Sequence, residues 1–359
     1  MVGRAVSAEQ LGSVDPLYGI EWSELPDSAA AVDSSARWQD VSQSSEAAPD
    51  VVVLDCGTFV SPEDDVPAAV REVTQHVLRA VQAWLVEERF AVSRLVVVTR
   101  GAVAVGEGEP VDLVQAPVWG LVRAAQAENP GRFVLLDTDG EVVVTSEPES
   151  AVRAGAVYVP RLVRLPGSEG PLPMGVGDTV LVTGGTGGLG AVVARYLVSE
   201  CGVRSLVLTG RRGLEAPGAV GLVAELSALG AVVEVRACDM GDREAVAALV
   251  DAIPGLSAVV HAAGVGDNGL VGALTPARMD AVLAPKADGA WYLHELTSHL
   301  DLTAFVLFSS AGGLVLTAGQ GNYAAANVFL DALAAHRRAA GLPATSMAYG
   351  MWDVGAGLG

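Results

Sequence analysis

The chain has 359 residues, of which 51% are hydrophobic, and a formal net charge of −20. This length and composition predict a buried core spread over two domains, and the negative charge disfavours nucleic acid and anionic membranes as partners. The chain has no apolar run long enough to span a bilayer, no signal-peptide pattern, and three cysteines without metal-ligand spacing (Cys56, Cys201 and Cys238), which predicts a cytoplasmic protein with no metal site.

The first half of the chain, residues 1–170, alternates apolar runs with stretches of helical periodicity. Strands are predicted over 51–54, 95–98 and 133–136, helices over 66–87 and 118–127, and a surface loop over 29–49. Strands that alternate with helices predict a parallel sheet. Because no glycine-rich loop follows any of these strands, this half is predicted to bind no nucleotide.

A Gly- and Pro-rich segment, 165–177, leads into the second half, residues 178–359. Strands are predicted there over 179–182, 205–208, 232–235, 258–261, 304–308 and 344–348, and helices over 189–200, 220–229, 243–253, 276–299 and 324–339. This alternation predicts a doubly wound α/β sheet. The two halves are interpreted as a duplicated fold in which one half has lost its cofactor site, although no sequence repeat supports this.

A glycine-rich loop follows the first strand of the second half. Its residues are Thr183, Gly184, Gly185, Thr186, Gly187, Gly188, Leu189 and Gly190. Glycines allow a tight turn and let the backbone approach a pyrophosphate at the N-terminus of the next helix. Because the loop lies between a predicted strand and a predicted helix, it predicts a dinucleotide site.

The end of the second strand indicates which dinucleotide is bound. An NAD site places an acidic residue there, whereas this chain has Arg211 and Arg212, which suit the 2′-phosphate of NADPH. A solvated basic turn is the alternative interpretation. Further candidate cofactor contacts follow the third and fourth strands: Asp239, Met240, Ala262, Ala263 and Gly264.

The spacing TGxxxGxG is typical of short-chain dehydrogenases, in which a Ser precedes a Tyr-x-x-x-Lys motif. Here Tyr323 is followed four residues later by Asn327, and the only lysine among the 22 basic residues is Lys286. This exchange of Lys and Asn resembles the ketoreductase domains of polyketide synthases and animal-type fatty acid synthases. The sequence around it agrees over 285–286, 308–312 and 319–327, as do 17–22 and 117–121 in the first half.

The resemblance covers nearly the whole chain and implies two Rossmann-like doubly wound parallel-sheet subdomains, the first structural and the second binding NADPH. It also implies reduction of a β-ketoacyl group on acyl carrier protein, within a larger synthase. Tyr323 would donate the proton, activated by the positive charge of Lys286, and Ser310 would hydrogen-bond to the developing oxyanion. Asn327 would hold Lys286 or a proton-relaying water.

Other interpretations remain open from the sequence. A fatty acid synthase ketoreductase has the same motifs, and a redox-inactive or epimerising scaffold domain would retain the fold. A sugar-nucleotide epimerase or dehydratase is disfavoured because such enzymes keep Tyr-x-x-x-Lys. The family normally continues with a lid loop, a helix and a final strand, and the sequence given ends at Gly359 before these elements.

The configuration of the product depends on two further motifs of the family. The A class has a Trp eight residues before the catalytic Tyr, where this chain has Val315. The B class has Leu-Asp-Asp after the fourth-strand motif, where this chain has Gly266, Asp267 and Asn268. The missing Trp and the surviving Asp267 and Asn268 favour the B outcome, a D-configured hydroxyl, with looser control. Gln320 is a further candidate substrate contact.

Overall fold

The computed structural model describes residues 17–26, 30–31, 36–44, 48–58, 65–106, 108–165, 174–315 and 318–350. The strands are β1 (Leu17–Glu24), β2 (Ala30–Ala31), β3 (Ala36–Arg37), β4 (Val51–Asp55), β5 (Arg94–Thr99), β6 (Phe133–Thr138), β7 (Val143–Val144), β8 (Glu149–Arg153), β9 (Ala156–Leu165), β10 (Thr179–Thr183), β11 (Ser205–Gly210), β12 (Val232–Ala237), β13 (Leu256–His261), β14 (Ala304–Ser310) and β15 (Thr345–Tyr349).

The α-helices are α1 (Trp38–Val41), α2 (Val66–Val86), α3 (Ala116–Glu128), α4 (Gly188–Ser199), α5 (Ala219–Ala228), α6 (Arg243–Asp251), α7 (Pro276–Leu283), α8 (Gly289–Thr297) and α9 (Gly321–Ala339). Within the described ranges, no helix is long and apolar enough to cross a membrane.

The first sheet has the strand order β1-β9-β8-β6-β5-β4-β3. It is parallel from β3 to β8, as predicted, and becomes antiparallel at β9 and β1. The sequence predicted β4, β5 and β6 but missed the strands at this antiparallel end. Part of the predicted loop over 29–49 is also wrong, because α1 lies within it and buries Trp38 against Trp84, with ring centroids 6.1 Å apart.

The second sheet contains all six predicted strands in the order β12-β11-β10-β13-β14-β15, and every pair is parallel. This is the 3-2-1-4-5-6 order of the Rossmann fold, so the predicted fold class is confirmed. The order reverses between β10 and β13, and ligands of such sheets bind at the carboxyl ends of the strands beside that point. One element differs from the prediction: the helix expected over 276–299 is interrupted by a π-helical turn, Ala284–Asp288.

The two halves pack together through α3 and α9. Gly120 lies at their closest approach, where a Cβ atom would be only 2.3 Å from the carbonyl oxygen of Ala324. The guanidinium of Arg71 in the first half pairs with the buried carboxylate of Asp288 in the second. A shared hydrophobic core and these contacts fix α9, the helix that carries Tyr323, against the first half.

Candidate active site

The glycine loop forms a cradle that side chains would fill. Gly184 has a φ of +66°, which glycine adopts without strain. A Cβ at Gly190 would lie 2.1 Å from the carbonyl oxygen of Gly184, so the first turn of α4 packs directly on the loop. Gly187 precedes α4 without a side-chain cap from any described residue. The first N–H groups of α4 therefore remain available to an anion such as a pyrophosphate.

The predicted ribose-phosphate residues lie at the end of β11. Arg211 and Arg212 are both exposed and form no ion pair with another described residue. Gly210 packs beside the loop, since a Cβ there would lie 2.5 Å from the Thr186 hydroxyl oxygen. After β12, Asp239 is exposed and Met240 is buried. The loop can hold the pyrophosphate of a dinucleotide, and the two exposed cations are suited to a further phosphate beside it.

Lys286 is buried in the π-helical turn between α7 and α8. Its ammonium donates a hydrogen bond to the carbonyl oxygen of Phe308 at 2.9 Å and lies 5.2 Å from the ring centroid of Tyr323. Burial lowers the pKa of Lys286 to about 8, while the charge of Asp331 acts in the opposite direction. The turn thus holds a titratable cation beside the phenol, and π-helical turns occur often at functional sites.

A chain of buried hydrogen bonds fixes the backbone of Lys286. The carbonyl oxygen of Lys286 lies 2.9 Å from Nε2 of His261. Because a carbonyl oxygen can only accept, Nε2 must carry the hydrogen and donate it. His261 Nδ1 is then the acceptor for the Thr183 hydroxyl at 2.8 Å, and Thr183 Oγ1 accepts from the Ala263 N–H at 3.3 Å. Burial lowers the pKa of His261 to about 4, which keeps the ring neutral. The chain joins the glycine-loop strand to the lysine turn.

Tyr323 and Asn327 occupy successive turns of α9. Asn327 donates from Nδ2 to the carbonyl oxygen of Tyr323 at 2.8 Å, and its Oδ1 is buried without a hydrogen-bond partner among the described residues. Two roles were predicted for Asn327: holding Lys286 or holding a water molecule. The described contacts include no hydrogen bond between Asn327 and Lys286. The unpartnered oxygen instead provides an acceptor for a water molecule.

Ser310 ends β14 and is oriented by the turn that follows it. Its Oγ accepts a hydrogen bond from the N–H of Gly312 at 3.1 Å. With a lone pair engaged in this way, the hydroxyl hydrogen remains available to a substrate oxygen. Gly264, which follows β13, lies beside the lysine, since a Cβ there would be 3.6 Å from the ammonium of Lys286. The predicted catalytic and nicotinamide-side residues thus gather at the carboxyl edge of the second sheet.

The predicted substrate residues fall on two neighbouring loops. The carboxylate of Asp267 pairs with the guanidinium of Arg278 through two hydrogen bonds of 2.8 and 2.5 Å, so it is already engaged within the protein. Asn268 accepts from the side-chain amide of Gln320 at 3.3 Å. Gly266 is exposed, and Val315 exposes 55% of its surface. Internal hydrogen bonds thus fix the first of these loops, while the side chain of Val315 is small and exposed.

Sequence reasoning missed two acidic residues beside the site. Asp331 follows Asn327 by one helical turn, so the spacing Tyr323, Asn327, Asp331 along one helix face is a signal that the sequence did contain. Asp331 accepts a hydrogen bond from the Ser346 hydroxyl at 2.5 Å, and burial raises its pKa to about 6. Glu128 lies at the end of α3, far away in sequence, and no local pattern identifies it.

Comparisons with known proteins agree with this geometry. The KR domain model matches residues 178–354, and the model of the Rossmann fold domain of the polyketide synthase extender module SpnB matches residues 20–162. Polyketide synthase GfsA of Streptomyces halstedii is 49% identical over the whole chain, which spans 5% of that protein's length.

Solved structures extend the similarity to three dimensions. An A-type ketoreductase from a modular polyketide synthase is 34% identical with a TM-score of 0.76, and the match covers 95% of this chain and 84% of that one. The ketoreductase from the first module of phoslactomycin biosynthesis in Streptomyces sp. HK803 is 32% identical with a TM-score of 0.81, over 95% and 83%. The chain belongs to the ketoreductase domains of modular polyketide synthases, a family of dinucleotide-binding oxidoreductases.

Proposed function

We propose that this chain uses NADPH to reduce the β-keto group of a polyketide intermediate, carried on acyl carrier protein, to a β-hydroxyl. The observation that supports this most strongly is the buried ammonium of Lys286, 5.2 Å from the ring centroid of Tyr323. The pair lies at the carboxyl edge of a sheet whose first loop is free to hold a pyrophosphate. In this proposal residues 178–359 are catalytic and residues 1–170 are structural, and the partners are the carrier protein and the other synthase domains.

The reaction assigns one role to each gathered side chain. NADPH, when bound, supplies the hydride to the ketone carbon. Tyr323 delivers a proton to the ketone oxygen, and the adjacent ammonium of Lys286 stabilises the phenolate that results. Ser310 donates a hydrogen bond to the same oxygen while charge accumulates there. Asn327 holds a water at its free oxygen, through which the proton is replaced.

The choice of NADPH over NADH rests on the end of β11. Arg211 and Arg212 provide two guanidinium groups that pair with no acidic residue among those the structure describes, and each is suited to bind a phosphate. The sequence has no acidic residue there to accept from a ribose 2′-hydroxyl. We expect NADPH to be preferred by about tenfold or more, which corresponds to roughly 1.4 kcal/mol.

We further propose a D-configured hydroxyl, the B outcome, for the product. No bulky residue occupies position 315, and Asn268 remains on the loop where the B class has its acidic residues. The solved relatives include ketoreductases described as A-type and as C2-type, so structural similarity alone does not decide the configuration. Chiral chromatography of the reduced thioester tests this, and a clean L-hydroxyl would contradict it.

The proposed activity is tested by NADPH oxidation with a β-ketoacyl thioester. Tyr323→Phe removes the proton donor and is expected to lower kcat by about a hundredfold or more. Lys286→Arg is expected to lower kcat by a smaller factor while NADPH binding stays intact, since the larger guanidinium cannot replace a compact ammonium in this turn. Tyr196→Phe, an exposed tyrosine on α4, is the matched control and should react like the unaltered chain.

Three results would contradict the proposal. Full activity of Tyr323→Phe would exclude this tyrosine as the proton donor. Equal use of NADH and NADPH would exclude the role of Arg211 and Arg212. No turnover of any β-ketoacyl substrate, with NADPH bound, would identify a redox-inactive scaffold domain instead.

A further inference from the structure

The two loops that carry the candidate substrate residues are joined to each other. We call residues 266–271 and 318–320 the loop pair. The N–H of Gly269 donates to the carbonyl oxygen of Gly319 at 2.7 Å, and Gly269 forms an isolated bridge with Gln320. The side-chain bond between Asn268 and Gln320 lies beside this bridge. Since the loop pair leads directly into the first turn of α9, its position fixes the space next to Tyr323.

A single carboxylate from the first half holds both members of the loop pair. Glu128, the last residue of α3, accepts from the N–H of Val271 with Oε2 at 2.8 Å and from the N–H of Gly319 with Oε1 at 3.0 Å. Both of its oxygens are therefore used, one for each loop. Hydrogen bonds from N–H groups to a carboxylate are stronger than those to a neutral acceptor.

The helix that carries Glu128 is itself firmly held. The guanidinium of Arg123 makes two hydrogen bonds to Glu149, of 2.9 and 2.8 Å, and donates to the carbonyl oxygen of Gly313 at 3.0 Å. Gly120 brings the backbone of α3 against that of α9 at Ala324. Glu128 therefore projects from a rigid support, and a change in its side chain acts on the loops without moving the helix.

Helix stability does not explain a glutamate at this position. A negative charge in the last turn of a helix faces the negative end of the helix dipole, which disfavours it. The contacts of Glu128 lie instead with the loop pair, whose two N–H groups have no other acceptor among the described residues. The carboxylate of Glu128 thus stabilises loops of the second half and not the helix that carries it.

We propose that Glu128 is a specificity-positioning residue: by holding the loop pair at a fixed spacing, it sets the side from which the acyl chain reaches the nicotinamide. The structural half then contributes to stereochemical control without contacting the reacting atoms. This inference rests on the proposed ketoreductase function, since it concerns the geometry of that same site.

The test compares Glu128→Gln and Glu128→Ala with Glu141→Gln, an exposed glutamate of the first half, as the charge-matched control. Amide hydrogen exchange is measured on the full chain without cofactor, in peptides that contain Val271 and Gly319. Exchange in both peptides is expected to rise by roughly tenfold in Glu128→Ala and by less in Glu128→Gln, whose amide keeps one acceptor oxygen.

The second readout is the ratio of product isomers from an α-methyl-β-keto thioester. We expect the minor isomer to increase in the order Glu141→Gln, Glu128→Gln, Glu128→Ala, with a larger change in KM than in kcat. Unchanged exchange in the loop pair, an increase spread evenly over the second half, or an unchanged isomer ratio would each overturn the inference. If the chain reduced no β-keto thioester at all, the proposed function would fail, while the exchange result would still report on the carboxylate contacts.

Discussion

Both sheets have backbone N–H groups at the carboxyl ends of their strands, but the partners of these groups differ between the two sheets. In the first sheet, Asp137 at the end of β6 is fully buried and accepts from the N–H groups of Gly101 and Ala102 at 3.1 and 2.8 Å. It also accepts from the Thr99 hydroxyl and the Arg153 guanidinium, both at 2.6 Å. In the second sheet, the loop after β10 consists largely of glycine, and the N-terminus of α4 has no side-chain cap from a described residue.

The difference concerns which anion the N–H groups at the strand ends can accept. In the first half, backbone N–H groups beside a strand end already bind an anion, which is the side chain of Asp137. The carboxylate of Asp137 also pairs with the guanidinium of Arg153, so its charge is balanced within the protein. In the second half, no side chain among the described residues caps α4 or pairs with Arg211 and Arg212, so these groups are available to an external anion.

The largest expected effect comes from removing the internal anion of the first half. Asp137→Asn removes a buried charged acceptor, while Glu109 still pairs with Arg153, so the free energy of unfolding should fall by about 2 kcal/mol, with NADPH affinity unchanged. Denaturant unfolding checks the first value and fluorescence titration the second, with Glu141→Gln as the control. Loss of NADPH binding in a folded Asp137→Asn chain would show that the two edges are not independent.

The next effect concerns the glycine loop of the second half. In Gly190→Ala the new methyl group would lie 2.1 Å from the Gly184 carbonyl oxygen, so the loop must shift and NADPH affinity should fall by about ten- to a hundredfold. Gly221→Ala on α5 is the matched control, because its Cβ has no neighbour within 4 Å among the described residues. Equal affinity of both variants would contradict the assignment of this loop to the pyrophosphate.

A smaller effect is expected at the end of β11. Replacing Arg211 and Arg212 together with alanine should reduce the preference for NADPH over NADH by about tenfold, with little change in the affinity for NADH. Both side chains are exposed, so the fold should be unaffected. Steady-state kinetics with each cofactor gives the ratio, and an unchanged ratio would mean that another group binds the 2′-phosphate.

The smallest effect is a shift in a titration. The negative charge of Asp331 raises the pKa of Lys286 against the effect of burial, so Asp331→Asn should bring that pKa below about 8. Because Lys286 is the only lysine, protein labelled with ¹³Cε-lysine gives a single signal whose shift reports its protonation. On raising the pH, the Asp331→Asn variant should therefore lose activity at a lower pH than the unaltered chain does. An unchanged titration, with exposed Asp301→Asn as the control, would exclude this coupling.

The parts of the molecule that the sequence predicted are those with local signals. The strands of the second sheet are apolar runs, and the glycine loop lies between one of them and a helix. Strands β8 and β9 have a weaker signal. The short buried run of β8 is flanked by the charged residues Glu149 and Arg153, and the second half of β9 is mostly exposed and contains Arg161 and Arg164. Family resemblance, rather than periodicity, identified the catalytic residues.

The remaining site features depend on tertiary contacts. Glu128 acts through N–H groups about 140 or more residues away in sequence, and no pattern around it indicates this. The hydrogen-bond chain through His261 needs both the end of β10 and the turn of Lys286 in place. Likewise, helical periodicity did not predict the π-helical turn and instead predicted one unbroken helix over 276–299.

The central claim, that one edge is filled from within and the other is open, is tested most directly by the stoichiometry of NADPH binding. Calorimetric titration of the full chain should give one NADPH per chain, and Asp137→Asn should give the same value with similar affinity. Gly190→Ala should bind more weakly at that same single site. Two sites per chain, or a site that survives Gly190→Ala unchanged and disappears in Asp137→Asn, would contradict the account.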